Sequence, residues 1–161
     1  MTESEFEPEM LKPLDLRVAR IIQAREHPNA DRLILLDIDL GDEERQLVAG
    51  IAGKYDFDEL DGRRIVVVAN LQAAKLRGEL SQGMLLAAQG EEQLGLLFAD
   101  AEPGTRLTTA SMGEPDEEKI TIDDFAVHEL VATGDGTVMV DGEPLEGAPI
   151  AVDRSVTGPV R

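Results

Sequence analysis

The chain has 161 residues, enough for one domain with a proper core or for one domain with a smaller addition. Apolar residues make up 42% of it, which excludes a disordered composition, and only 3% are aromatic, which argues against a platform of stacked rings. The formal net charge is −18, and there is no Cys, so disulfides, a thiolate nucleophile and a Cys-ligated zinc site are excluded.

Nothing in the sequence predicts a membrane segment or a secretion signal. No apolar run approaches the ~20 residues that span a bilayer. Residues 1–9 have neither the basic start nor the apolar stretch of a signal peptide. We therefore expect a soluble, cytoplasmic protein.

The acidic charge is unevenly distributed along the chain. An acidic surface keeps proteins hydrated in a salt-filled, halophilic cytoplasm, and a specific role for the charge is the alternative. Residues 12–77 carry eleven bases and twelve acids, a net of −1, whereas residues 78–161 carry four bases and seventeen acids, a net of −13. Bases concentrated in one half of an acidic chain favour a polyanion-binding first half.

The first third of the chain predicts three strands in meander order. Apolar and polar residues alternate from residue 14, and the phase breaks at Ile21 and Ile22, which predicts a β-bulge. Turn residues separate the strands at 27–31 and 41–44. The predicted strands are residues 14–19, 33–40 and 45–49.

A short helix and two more strands follow. Asp56 and Glu59 form a capping box that predicts a helix start, and Asp61-Gly62 ends it. Residues 63–69 predict a fourth strand, and its four consecutive β-branched residues imply burial on both faces. Residues 83–88 predict a fifth, and 93–98 a further strand. The order is that of an all-β, five-stranded oligonucleotide-binding (OB-fold) barrel with a short helix between strands 3 and 4, and any five-stranded barrel would give a similar pattern.

The remaining residues, 109–161, contain few large apolar side chains and would be only marginally stable alone. Turn residues at 113–118 predict a hinge, and residues 137–143 predict a hairpin. We expect a barrel domain over residues 12–108 and a small β-rich C-terminal extension packed on it.

Several ordered motifs carry a resemblance to a known family. They are DLRVARII at 15–22, HPNAD at 27–31, VAGIA at 48–52, VANL at 68–71, KLRG at 75–78 and SQGMLLAA at 81–88. The chain thus resembles the tRNA-binding domain family, the barrel of many methionyl-tRNA synthetases, stand-alone tRNA-binding proteins and endothelial monocyte-activating polypeptide. The resemblance covers about residues 12–108. It implies tRNA binding with little sequence preference, either in support of a methionyl-tRNA synthetase or as a stand-alone tRNA-binding protein. The sequence has no paired-acid, phosphate-loop or zinc signature, so we expect no cofactor and no enzymatic activity.

The resemblance also implies the site residues. Lys75 and Arg77 match positions that face tRNA, where cations neutralise phosphate and Arg can stack on a base; solvated surface charges are the alternative. Asn70 matches the family's Asn after the fourth strand, which can donate a hydrogen bond to a phosphate or a base; a cap of the strand end is the alternative. Ser81 and Met84 match positions lining the RNA-binding pocket, although a Met beside Leu is as often part of a core.

Other candidates are weaker. Arg32 and Lys54, with Arg64, would extend the basic track, or each would only solvate a face. His27 belongs to the His-Pro turn and is expected to be structural. His128 has no second ligand nearby, so we expect no metal site. The serine of Gly78–Gly83 does not fit the Gly-x-Ser-x-Gly spacing, and we expect no catalytic residue.

The extension resembles the added segment of endothelial monocyte-activating polypeptide, which occupies the surface that shorter relatives use to dimerise. That implies a monomer with a pseudo-dimer arrangement, and a homodimer is the alternative. Two rival functions remain open. One is a peptide-binding secretion chaperone on the same barrel, and the other is a protein–protein adaptor for a synthetase complex.

Overall fold

The computed structural model describes residues 12–115 and 118–161. Residues 1–9, for which no signal peptide is predicted, and residues 116 and 117 of the predicted hinge lie outside these ranges. The helices are α1 (Phe57–Leu60), α2 (Ile122–Ala126) and a 3₁₀ helix (Asp153–Ser155). The strands are β1 (Leu16–Glu26), β2 (Ile34–Asp39), β3 (Glu44–Ala49), β4 (Arg64–Val68), β5 (Ala74–Leu76), β6 (Glu79–Ser81), β7 (Met84–Leu85), β8 (Ala87–Gln89), β9 (Leu94–Ala99), β10 (Arg106–Leu107), β11 (Leu130–Ala132), β12 (Val138–Val140), β13 (Glu143–Pro144), β14 (Ile150–Val152) and β15 (Gly158–Pro159).

The main sheet is antiparallel and runs in the order β14-β9-β4-β1-β2-β3. The end strand β3 is connected back to β4 by the segment before β7 and by β7. There the backbone N–H of Gln82 donates to the Gln46 carbonyl of β3 at 2.8 Å, while β7 itself pairs with β4. The sheet therefore curls into the predicted OB-fold barrel, with α1 between β3 and β4.

The long first strand bends as its sequence predicts. The register between β1 and β2 shifts between Ile21 and Gln23, which places a bulge at Ile22. Before the bulge β1 pairs with β4, and after it β1 pairs only with β2. Because a bulge increases local twist, it allows one strand to serve both halves of the barrel.

The fourth strand is buried on both faces, as its run of β-branched residues predicts. Ile65 and Val67 face the barrel interior, while Val66 and Val68 face a second core outside the barrel. All four side chains are at most 1% exposed. A two-sided strand of this kind requires a covering layer on the outer face of the barrel.

The C-terminal extension supplies that layer. A four-stranded sheet in the order β13-β12-β11-β15, together with α2, packs against the outer face, and β14 pairs with the barrel strand β9. The extension residues of the second core are Ile120, Phe125, Leu130, Ala132, Val138, Val140, Leu145, Val152, Val156 and Val160. The expectation of a β-rich extension packed on the barrel is confirmed, and the predicted hairpin is β12–β13.

One predicted strand is wrong and one hairpin is not predicted. The predicted fifth strand is interrupted at Leu86, because β7 pairs with β4 whereas β8 pairs with β9. The polar segment 70–82 contains the hairpin β5–β6, which the sequence does not predict. The strands of this hairpin are three residues long and mostly exposed, so they carry no apolar periodicity that predicts a strand.

A tyrosine ties the extension to the barrel. The Tyr55 hydroxyl donates to Asp153 Oδ2 at 2.8 Å and accepts from the Leu96 backbone N–H at 3.1 Å, and the Arg154 guanidinium lies 4.0 Å from the ring centroid. Burial, with the neighbouring Asp153 carboxylate, raises the pKa of Tyr55 to about 12.

We expect this tyrosine to make the fold sensitive to alkali. The folded state holds the phenol proton more tightly than the unfolded chain, so the contribution of Tyr55 is complete below pH ~10 and is lost as the pH rises through about 12. Tyr55 is the single tyrosine of the chain, so ultraviolet absorbance reports its ionisation alone. A midpoint near that of free tyrosine in the folded protein would contradict this contact.

Candidate nucleic-acid interface

The β5–β6 hairpin turns through two residues that both have positive φ. Arg77 has φ +56° and Gly78 φ +93°, as in a type I′ turn. Such turns favour Asn-Gly, and the left-handed region costs an ordinary L-residue roughly 1–2 kcal/mol. An arginine at the first position is therefore unfavourable for the turn itself.

Both strands of this hairpin are anchored to the barrel. His27 Nε2 donates to the Leu76 carbonyl at 2.9 Å, and its Nδ1 accepts from the Asn29 backbone N–H at 2.9 Å. On the other strand, Gln46 Nε2 donates to the Leu80 carbonyl at 2.8 Å. His27 is only 6% exposed, so it is structural, as expected, and it holds the hairpin in place.

A third anchor holds both ends of the segment that carries the hairpin. Arg45 Nη1 donates to the Ala69 carbonyl at 2.6 Å and to the Gln82 carbonyl at 3.2 Å. The bond and ion pair between Arg45 and Glu43, at 2.8 Å, lower the pKa of the Glu43 carboxyl. The sequence does not single out Arg45, because an arginine on a half-buried strand has the same pattern whether it clamps carbonyls or faces water.

Two predicted contacts are occupied inside the protein. Asn70 Oδ1 accepts from the Asp15 backbone N–H at 3.0 Å, and its Nδ2 donates to the Pro13 carbonyl at 3.1 Å. Ser81 Oγ accepts from the Val48 N–H at 3.0 Å and donates to the Gly83 carbonyl at 3.0 Å. Both residues are buried. These bonds favour the strand-cap alternative for Asn70 and give Ser81 the task of joining β6 to β3.

The two predicted hairpin cations face outward. Lys75 is exposed and forms no ion pair with any residue that the structure describes. The Arg77 side chain is exposed and reaches only the Asn29 carbonyl, at 3.4 Å. Lys75 in β5 and Arg77 at the turn are therefore two exposed cations on one hairpin, an arrangement that suits contact with phosphate.

A cavity of about 620 Å³ lies beside this hairpin, between the barrel and the extension. Its apolar lining is Val48, Ala49, Ile51, Leu71, Ala73, Ala74, Leu76, Met84, Leu85, Ala87, Leu94 and Ile122. Its polar and charged lining is Gln72, Ser81, Gln89, Thr121 and Arg161. None of the described residues that line it is acidic, although the chain has 33 Asp and Glu.

The remaining candidates differ in position. Met84 lines the cavity and also packs against the second core, so it has both the position expected of a pocket residue and that expected of a core residue. Arg32 and Lys54 are exposed but do not line the cavity. The Lys54 carbonyl accepts from Arg154 Nη2 at 2.7 Å, beside Tyr55. Arg64 donates to the Ala101 carbonyl at 3.1 Å.

His128 has a structural role, because its Nδ1 bonds Asp141 Oδ2 at 2.6 Å and its Nε2 bonds the Lys12 carbonyl at 2.7 Å. Within residues 12–115 and 118–161, no group of three or more His, Cys, Asp or Glu could hold a metal ion. In the same ranges, no helix is long and apolar enough to cross a membrane.

Residues 16–106 match the family described as a putative tRNA-binding domain. The chain belongs to this family. The match confirms the resemblance and describes a binding domain rather than a catalytic one. It takes in β5–β6 and the barrel side of the cavity, whereas Thr121, Ile122 and Arg161 lie beyond the matched tRNA-binding domain.

Individual proteins and structures are also similar to this chain. Over 89 residues it is 56% identical to methionine–tRNA ligase of Thermococcus kodakarensis. The matched stretch is 55% of this chain but only 12% of the ligase. The crystal structure of the C-terminal domain of Plasmodium vivax p43 superposes with a TM-score of 0.68 and 28% identity, covering 87% of this chain and 98% of that one. Chaperone CsaA from Bacillus anthracis superposes with a TM-score of 0.53 and 31% identity, covering 59% and 90%.

The turn of the hairpin gives a stability prediction. We expect Arg77→Asn to leave the tRNA-binding domain as stable or to stabilise it by up to about 1 kcal/mol, because Asn tolerates positive φ better than Arg. Urea unfolding measures the change, with Arg77→Val as the contrasting variant, since a β-branched residue is unfavourable there. A loss of stability in Arg77→Asn as large as in Arg77→Val would contradict the assigned turn.

Proposed function

We propose that this chain is a cytoplasmic tRNA-binding module without catalytic activity, and that tRNA lies across the β5–β6 hairpin and the adjoining cavity. The observation that carries the proposal is the placement of Lys75 and Arg77. Both cations are exposed on a hairpin anchored at three points, beside a cavity with no acidic lining among the described residues. Membership of the tRNA-binding domain family supports the identity of the ligand.

The net charge of −18 should repel a polyanion such as tRNA, so binding depends on the salt concentration. In molar salt the Debye length falls to ~3 Å, and distant acids then have little effect on binding at the hairpin. The same salt weakens the gain from counterion release. We therefore expect modest affinity in a halophilic setting, with shape, hydrogen bonds and packing contributing more than usual.

The partners are also proposed. The matched region is a small part of the ligase it resembles, so a methionyl-tRNA synthetase, acting in cis or in trans, is the partner we propose. The extension buries the outer-face residues Leu16, Val18, Val66 and Val68, which supports a monomer in which the extension takes the place of a second copy. Sedimentation should give the mass of one chain, whereas a stable dimer would contradict this arrangement.

A peptide-binding chaperone is the second candidate, because the cavity is mostly apolar and the fold resembles chaperone CsaA. A gel shift separates the two functions. Under the tRNA proposal, bulk tRNA is bound saturably and excess unfolded polypeptide does not displace it. Displacement by polypeptide, or binding of polypeptide alone, would favour the chaperone.

A further inference from the structure

We propose that the outer face of the four-stranded sheet of the extension is a docking surface for a basic amphipathic helix of a partner protein. This inference rests on the proposed function, in which a synthetase is the partner, and adds the surface and the chemistry through which a partner would be held. The surface shares no residue with the β5–β6 hairpin or with the cavity lining, so tRNA and the partner would not compete.

Four apolar side chains cross this face in a row, which we call the apolar row. The strand register pairs Val131 with both Met139 and Pro159. It also pairs Met139 with Pro144. Directly opposed side chains of antiparallel strands lie roughly 5 Å apart, close enough to touch. The apolar row therefore runs across the whole sheet, from β13 through β12 and β11 to β15.

The apolar row points away from the core. The neighbours of Val131 and Met139 along their strands are buried in the second core, whereas Val131 itself is 38% exposed. Pro144 and Pro159 are exposed and Met139 is half-buried. An antiparallel sheet with one solvated face normally carries polar side chains on that face. A contiguous set of exposed apolar side chains with a polar rim is typical of a protein interaction site.

The sheet offers its face to a partner, and its edges are unsuited to binding. The edge strands β13 and β15 are each two residues long, and each contains a proline of the apolar row. Short edge strands with proline, which has no backbone N–H, disfavour the addition of another strand. Three strand spacings of ~4.8 Å make the row about 14 Å long, which matches about ten residues of helix.

Carboxylates lie at both ends of the strands that carry the centre of the apolar row. Glu129 precedes β11 and Asp141 follows β12, and the Asp141 N–H donates to the Glu129 carbonyl at 2.7 Å. At the opposite end, in the loop between β11 and β12, hydrogen bonds from Thr133 and Thr137 lower the pKa of the Asp135 carboxyl. The apolar row is therefore bordered by negative charge.

The charge of the whole extension selects a basic partner. Residues 109–161 carry twelve acids and three bases, a net of −9. Lys and Arg residues beside the apolar stripe of a helix would meet these carboxylates, while the stripe covers the apolar row. Nucleic acid and a second copy of this acidic chain would both be repelled. The apolar contacts would remain in high salt, where exposed ion pairs are screened.

The first test compares two synthetic peptides of about 14 residues that contain only Leu and Lys. One has Leu at helical spacing on one face, and the other has the same composition in scrambled order. We expect the full-length protein to bind the amphipathic peptide at least about tenfold more tightly than the scrambled peptide. Equal affinities would show that charge alone attracts basic peptides and would overturn the docking surface.

Matched variants locate the peptide on the protein. We expect Val131→Ser to weaken binding of the amphipathic peptide roughly fivefold, because it removes an apolar contact at the centre of the row. Val127→Ser is the control, since Val127 is 48% exposed and lies outside the row. It should change the affinity less than twofold, and both variants should bind tRNA as the unaltered protein does. Equal losses of peptide affinity in the two variants would overturn the site.

The second test needs no substitution. In protein labelled at methionine methyl groups, Met139 reports the apolar row and Met84 reports the cavity. We expect the amphipathic peptide to shift the Met139 signal and not the Met84 signal. A Met139 shift caused by tRNA, or by raising the protein concentration alone, would show that RNA or a second copy covers this face and would overturn the inference.

The two proposals fail separately. If tRNA binds at the hairpin but the amphipathic peptide leaves Met139 unchanged, the docking surface is wrong and the proposed function stands. If the peptide shifts Met139 but no tRNA is bound at any salt concentration, the docking surface stands and the tRNA-binding function is wrong.

Discussion

Replacing Lys75 by Gln and Arg77 by Asn together is expected to lower the affinity for bulk tRNA by roughly ten- to a hundredfold at low salt. Both side chains are exposed and carry charges that no described ion pair neutralises, so they contribute through phosphate contacts and counterion release. The log–log slope of affinity against salt should fall by about two. Asn is chosen at position 77 because it suits the positive φ of the turn, which keeps the hairpin intact while the charge is removed.

The control for this double variant is a pair of arginines elsewhere on the barrel. Arg20→Gln together with Arg63→Gln changes the net charge by the same amount, and neither residue lines the cavity or lies on the hairpin. We expect the control to bind nearly as well as the unaltered protein. If both double variants lose affinity equally, total charge rather than the hairpin determines binding. If the hairpin variant binds normally, the site assignment is wrong.

The largest effect on stability is expected for Phe125→Ala, which should lower the free energy of unfolding by about 3–5 kcal/mol. Phe125 is 5% exposed and contributes its ring to the second core, where the extension meets β1 and β4 of the barrel. Because that core is shared, the barrel and the extension should unfold in one transition. Chemical denaturation followed by circular dichroism measures both quantities.

Val127 provides the control from the same short segment. It follows α2 directly and is 48% exposed, so Val127→Ala should change the free energy of unfolding by no more than about 0.5 kcal/mol. Similar small losses for both variants, or two separate transitions in the unaltered protein, would show that the extension is not an integral part of the core. The monomer proposal would then lose its structural support.

The fold could be predicted wherever side-chain periodicity and local capping determine it. The phase break before Gln23 predicts the bulge, the β-branched run of β4 predicts burial on both faces, and Asp56 with Glu59 predicts α1, where the Asp56 N–H donates to Glu59 Oε1 at 2.8 Å. The β5–β6 hairpin could not be predicted, because its short exposed strands are held by anchors from distant parts of the chain.

The site was only partly predictable for a related reason. The resemblance to the family indicated Lys75 and Arg77, which the structure leaves exposed on one hairpin. It could not distinguish a polar side chain that bonds backbone, such as Asn70, from one that contacts a ligand, because both follow a strand in the same way. The sequence does not indicate that Thr121, Ile122 and Arg161 line the cavity, because these residues reach it only through tertiary packing of the extension.

Titration of bulk tRNA into the unaltered protein at a series of KCl concentrations tests the central claim most directly. With Lys75 and Arg77 as the cations at the site, we predict saturable binding with a log–log slope of roughly −1 to −2. A slope that implies six or more phosphate contacts, at roughly −0.7 to −0.9 per contact, would contradict the small interface described above. Absence of saturable binding at every salt concentration would contradict tRNA binding itself.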